Sequence, residues 1–220
     1  MTPIERCALV LGTALYVAVP AVPAADLPVP CGGGTCAGIP AFVTDGAATA
    51  VVNAPGTRLD VNQASERVVL NWAEFNVAAG NTVSFNQPGT SSLAVNRIFQ
   101  GDPSRIFGTV KANGQIYLIN QNGILFGRGS QVNVGGLIAS SLDLDPEALS
   151  GGILNPALLT QGKAAFAGDG RTVVLDQNGQ VVTDANGDPI TVKVAVEEGA
   201  KLTSNPKGGG RVALVGQQVE

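Results

Sequence analysis

Almost every apolar run in this chain is too short to bury a face on its own. From residue 50 onward, short apolar runs recur at 50–52, 59–61, 68–70, 75–77, 83–85, 93–95, 106–110, 116–119, 124–126 and 132–134. Each is bounded by glycine, asparagine, proline or serine. Runs of this length between turn residues read as strands, not helices. Valine, alanine, leucine and isoleucine carry the apolar content, because aromatics make up only 5%. With 29 glycines and 13 prolines in 220 residues, the chain is all-β and dense in turns. A β-sandwich or barrel, a propeller and a parallel β-helix all use such strands. Val61, Val83 and Ile106 are spaced by 22 and 23 residues, the length of one coil. Stacked coils would share one interior, with like residues in ladders about 4.8 Å apart. Strand spacing alone narrowly favours the sandwich.

The stretch Asn120-Gln121-Asn122-Gly123-Ile124 sets an Asn-Gly turn between two apolar runs. Such a dipeptide is the strongest short hairpin signal, since both residues tolerate positive φ. Asn133 follows, between Val132 and Val134, and strand alternation places it on the face opposite the valines or at a corner. Asparagine is a poor strand residue. In a hairpin these asparagines would be solvated loop residues; in a solenoid they would hydrogen-bond adjacent coils. Local sequence favours the hairpin.

Residues 1–24 read as an export signal. Arg6 supplies the charge, residues 8–19 form an apolar run, and Ala21-Val22-Pro23-Ala24 offers small residues for cleavage after Ala24. Twelve apolar residues are too few to span a bilayer. Cys7 leaves with the signal. Cys31 and Cys36 flank Gly32-Gly33-Gly34-Thr35, and in an exported chain they are expected to form a disulfide. A net charge of −4 argues against nucleic acid or an anionic membrane as partner. Histidine is absent, and with it the commonest general base and metal ligand. Neither a metal nor a cofactor is expected.

Residues 25–40, rich in proline and glycine, read as a linker or the start of a cap, and residues 41–220 as the body. Asp145-Pro146 and Asn155-Pro156 each set a capping residue before a proline, the start of a short helix. Residues 173–182 read as a hairpin around Asp176-Gln177-Asn178-Gly179. An insert of about 143–194 is therefore expected outside any regular coil. The acidic turn 184–188 faintly suggests calcium, without the spacing of a known calcium loop. Strand-like runs return at 199–216, and the chain stops at Gln218-Val219-Glu220. An open strand edge there would aggregate, so these residues are expected to be the front part of a longer protein.

In this order, Asn71-Trp72-Ala73-Glu74-Phe75-Asn76-Val77, Val83-Ser84-Phe85, Asn96-Arg97-Ile98, Ala112-Asn113-Gly114-Gln115-Ile116, Asn120 with Gln121, Asn122, Gly123 and Ile124, and the stretch from Asn133 to Leu142 form a collinear set. The set resembles the secretion domain of two-partner secretion exoproteins of the filamentous haemagglutinin type, found in Gram-negative bacteria. The family's Asn-Pro-Asn-Gly stands here as Asn-Gln-Asn-Gly. Its Asn-Pro-Asn-Leu is replaced by Val95-Asn96-Arg97-Ile98, which resembles another branch. The resemblance implies a right-handed parallel β-helix with an amino-terminal cap and extra-helical β-hairpin and short helical elements. It further implies a secretion-targeting domain read by an outer-membrane transporter with periplasmic receptor domains. The domain would nucleate β-helix folding outside the cell for a large adhesin, secreted through the periplasm and left extracellular or cell-surface associated. Host-cell or carbohydrate contacts would lie beyond residue 220.

The resemblance assigns transporter recognition or folding to Asn96, Arg97, Ile98, Asn120, Gln121, Asn122, Gly123, Ile124, Asn133, Gly135 and Gly136, and structure to Asn71, Trp72 and Phe75. Trp72 could stack on a sugar, but packing beneath a cap is the commoner role of such a residue. A β-helical carbohydrate-active enzyme or carbohydrate-binding module is the rival reading. The acids Asp60, Glu66, Glu74, Asp102, Asp143 and Asp145 are scattered, whereas glycoside hydrolysis needs a facing carboxylate pair. No catalytic residue is assigned.

Overall fold

The computed structural model describes residues 26–151, 153, 156–176, 178–205 and 210–220; the export-signal reading of residues 1–24 and Cys7 lies outside them. Among the described residues three short strands come first: β1 (Val29–Pro30), β2 (Val43–Asp45) and β3 (Ala48–Val52). Then come coils. The first carries β4 (Arg58–Gln63) and β5 (Arg67–Glu74). The second carries β6 (Thr82–Asn86), β7 (Leu93–Ile98) and β8 (Ser104–Ile106). The third carries β9 (Thr109–Ala112), β10 (Gln115–Asn120) and β11 (Ile124–Phe126), and the fourth begins with β12 (Gln131–Val134) and β13 (Gly136–Ser140). An excursion follows: β14 (Asp143–Leu144), α1 (Pro146–Gly151), α2 (Pro156–Thr160) and β15 (Phe166–Ala167). The coil path resumes at β16 (Val194–Val196), β17 (Lys201–Ser204) and β18 (Val212–Val215).

Strands of successive coils pair in parallel on three faces. One face runs β4-β6-β9-β12-β17, the second β5-β7-β10-β13-β18, the third β8-β11-β16. The expected parallel β-helix is what the chain forms, and the sandwich favoured by spacing is set aside by this parallel pairing. The 22- and 23-residue interval is also corrected. Val61 lies beside Phe85, Val83 between Leu59 and Val110, and Ile106 on the third face between Val77 and Phe126. Corner loops differ in length from coil to coil, so no single interval holds.

Period-two alternation fills the interior. Leu59, Val83, Val110, Val132 and Leu202 form one inward ladder, and Val68, Ala94, Ile116 and Leu137 another. Each fully buried valine or leucine contributes about 1.5–3 kcal/mol. The second face is buried on both sides, as a continuous run such as Ile116-Tyr117-Leu118-Ile119 requires. Its outer stripe, Val69, Val95, Tyr117 and Ile138, packs against Leu144, Ala148, Leu158 and Phe166 of the excursion. The Asp145 side chain accepts the Glu147 N–H at 2.8 Å, the expected N-cap of α1. Isolated antiparallel bridges then join Val173 with Thr191, Leu175 with Val181 and Thr183 with Pro189.

The amino-terminal cap is part of the packed structure. β1 and β2 both pair antiparallel along β5, Leu27 is buried, and Cys31 is joined to Cys36. Asn71 fastens this cap: its Nδ2 donates to the carbonyls of Ala41 and Phe42 and to Thr44 Oγ1.

Candidate functional site

The Asn-Gln-Asn-Gly stretch turns the corner between the second and third faces. It does not reverse the chain, which corrects the hairpin reading. Gly123 donates its N–H to the Asn120 carbonyl at 2.9 Å, so Gln121 and Asn122 are the central residues. Among the described residues no non-glycine residue has positive φ; within this turn Gly123 alone does, at +105°. Negative φ at both central residues with glycine last fits a type I turn. Gly123 is also held by contact, since a Cβ there would lie 2.6 Å from the Lys193 carbonyl oxygen.

The asparagines stitch coils together. Asn120 is fully buried; its Nδ2 donates to the Asp102 carbonyl at 3.2 Å and to Ser104 Oγ at 2.9 Å, while its Oδ1 accepts the Asn122 N–H at 2.9 Å. Asn122 Nδ2 donates to the Gln100 carbonyl at 2.8 Å. Gln100 passes the ladder down a coil, its Oε1 accepting the Phe75 N–H at 2.7 Å. Asn76 Oδ1 accepts the Arg105 N–H at 2.8 Å. One continuous polar corner thus joins the first, second and third coils. Gln100 and Ser104 were missed in the sequence; the polar turn Gly101-Asp102-Pro103 before β8 was the available signal.

The other assigned residues do not gather in one place. Asn96 faces the interior beside Leu70 and Leu118, fully buried, and accepts the Trp72 indole N–H at 2.9 Å. Its Nδ2 donates to the Ala94 and Tyr117 carbonyls. Trp72 is fully buried between Phe42 and Phe75, with both rings edge-on, so no sugar can stack on it. Ile98 is a core residue, and Ile124 lies in β11. Arg97 points outward, pairs with Asp143 at 3.1 Å and lies over the exposed Phe99 ring. Beside it, Gln121 and Asn122 line a notch of about 170 Å³. Asn133 is exposed on the first face between Lys111 and Thr203, away from the Asn120–Gly123 corner. Gly135 belongs to the opposite corner, where a Cβ would meet the Gly114 carbonyl oxygen at 2.6 Å; Gly136 has ordinary room. That corner has its own amide ladder. Gln87 Nε2 donates to Gln63 Oε1 at 3.0 Å, and Gln87 exchanges bonds with Asn113.

Electrostatics at the site are modest. Arg67 reaches from the first coil to the Ala148 carbonyl at 2.9 Å and to that of Leu149, at the end of α1. Burial under the excursion pushes the Tyr117 phenol above its usual range, with the nearby Arg67 charge acting against it. In the acidic turn, the backbone N–H groups of Asp188 and Asn186 bond Asp184 Oδ1 and hold its carboxyl below the usual value. No group of three or more metal-ligating side chains occurs among the described residues.

Comparison with known proteins agrees with this geometry. A family model described as the TPS secretion domain matches residues 40–220. Two heme/hemopexin-binding proteins of Haemophilus influenzae, one from strain Rd, are each 35% identical to this chain. The matches cover 94 residues, 43% of this chain, and 88 residues, 40%. This chain spans only 10% of the length of either relative. The crystal structure of the HMW1 secretion domain from Haemophilus influenzae superposes with a TM-score of 0.50 at 20% identity. That superposition covers 80% of this chain and 40% of the other, and it supports the fold alone. With the family model matched from residue 40 to residue 220 of a corner-stitched β-helix, the chain belongs to the family of TPS secretion domains.

Proposed function

We propose that this domain is the address by which a dedicated outer-membrane transporter, through its periplasmic receptor domains, captures a larger exoprotein. The same residues then nucleate that exoprotein's β-helix on the far side of the membrane. The family match over residues 40–220 carries this reading. The physics supports it. Parallel coils pair residues far apart in sequence, so the chain folds slowly and stays open to capture. Once the first coil forms, each later coil has a template. A receptor strand adding to an extended segment is the recognition mode that suits such a chain.

On this reading Asn120, Asn122 and Asn96 act on secretion through folding, because their amides are consumed by inter-coil bonds. The domain addresses and does not catalyse. The full-length protein is an extracellular or surface-bound adhesin whose host-cell or carbohydrate contacts are made outside these residues. The test is to delete residues 120–123 and compare supernatant with periplasm. Release should fall while periplasmic chain accumulates; undiminished release would overturn the proposal. A neighbouring reading frame for a barrel with periplasmic receptor modules is the expected genetic context.

A further inference from the structure

We infer that the open edge of β3 is where a strand of the transporter's receptor domain adds to this domain, an inference that rests on the transporter reading above. β3 is the terminal strand of the first face, antiparallel to β4. The Asn53–Arg58 and Ala47–Ala64 backbone bonds fix which residues bond β4. By alternation, Ala48, Ala50 and Val52 turn their N–H and C=O groups to the open side. Among the described residues nothing pairs with them.

Natural edges are guarded by charge, proline or a bulge. The second face ends in β1 and β2, very short strands whose registers shift. The third begins at the single bridge of Val77. Among the strands that close the amino-terminal end, β3 alone is regular, five residues long and free of charge and proline, with Val51 56% and Val52 51% exposed.

The occupant follows from unpaired backbone and uncharged β-branched side chains: an extended polypeptide with an apolar, β-rich strand. Timing points to the receptor. β3 and β4 form a local hairpin whose turn is held by Asn53 Oδ1, which accepts the N–H groups of Thr57 and Arg58. Hairpins form in microseconds, long before non-local coils. A lone two-stranded hairpin is marginal, and a third strand makes it stable. The receptor strand supplies the third strand while β6, which will later pair with the other side of β4, is still unfolded.

The test uses the full chain co-expressed with its transporter. A photo-crosslinking residue is placed at position 51, with one at position 203 as a control on the outward face of a late coil. Ala50→Pro removes an outward donor at a position where an edge tolerates proline; Val51→Lys guards the edge without touching the backbone. We expect crosslinks to the transporter from position 51 and not from position 203. Release should fall several-fold for both variants, with the melting of refolded protein unchanged for Val51→Lys. Crosslinks only to a second copy of this chain, no crosslinks, or wild-type release of both variants would overturn the inference. Wild-type release that persists without the transporter would instead sink the transporter reading itself.

Discussion

Asn120→Ala separates a folding role from a recognition role at the motif. The substitution removes two donations and one acceptance at a buried corner, leaving Ser104 Oγ, the Asp102 carbonyl and the Asn122 N–H without those partners. A net hydrogen bond is worth about 1 kcal/mol, and a group stranded in the interior costs about 1–3 kcal/mol. Ser104 is fully buried and the other two groups are partly so, which places the loss at about 2–4 kcal/mol. Against a total stability of about 5–15 kcal/mol, the refolded domain should remain folded but weakened. With a urea slope of about 2 kcal/mol/M, the midpoint should fall by about 1–2 M. Equilibrium urea unfolding followed by Trp72 fluorescence reads this directly. Gln121→Pro is the opposite control. Residue 121 is the first central position of a type I turn, its N–H makes no backbone bond, and Asn120 before it is in a strand. It should therefore stabilise by about 0.4–1 kcal/mol. If Asn120→Ala abolishes release while the midpoint stays within error of wild type, the buried-ladder reasoning is wrong and Asn120 is read directly.

Other substitutions probe other parts of the fold. Gly123→Ala combines a positive φ with a carbonyl contact and should lower the melting temperature more than Gly129→Ala, where φ is +82° but the space is open. Asn96→Ala strands the Trp72 indole N–H in the core and should cost about 1–3 kcal/mol, with a shift in tryptophan emission. Reducing the Cys31–Cys36 bridge should cost about 2 kcal/mol, as expected for so short a loop, seen as a lower denaturation midpoint in dithiothreitol. Burial raises the Tyr117 pKa, so its stabilising contribution is complete below the unfolded value near 10 and is lost as pH rises through the folded pKa. Tyr117→Phe should flatten that alkaline loss in a pH series of melts.

Strand positions were readable because alternation is local. Val132, Asn133 and Val134 show in, out, in both as sequence and as structure. The N-cap before α1 was equally readable, since Asp145 needs only its next two residues. Register was not readable, because corner loops of unequal length carry Val61 to Phe85 and not to Val83. The Asn-Gly turn was misread because its hydrogen bond starts at Asn120, which makes Asn122 a central residue with negative φ and leaves Gly123 to end the turn. Asn96, assigned to recognition or folding, lies in an inward ladder, where its bonds with the Trp72 indole and the Ala94 and Tyr117 carbonyls make burial tolerable. No local pattern marks a partner 24 residues away.

The polar corners also decide the order in which the domain assembles. Asn120 and Asn122 find their partners on the second coil, Gln100 finds its own on the first, and Gln87 reaches both Gln63 below and Asn113 above. A coil added out of turn would bury these amides without partners, at about 1–3 kcal/mol each, with no interior ladder to offset it. Stacking therefore proceeds from the cap outward, and each step is favourable only on the coil before it. The folded corner and a direct reading of the Asn120, Asn122 and Gln100 amides are mutually exclusive, since each of these is already engaged. Whatever reads those side chains directly must do so before the third coil closes on the second, and closure then withdraws them from the reader.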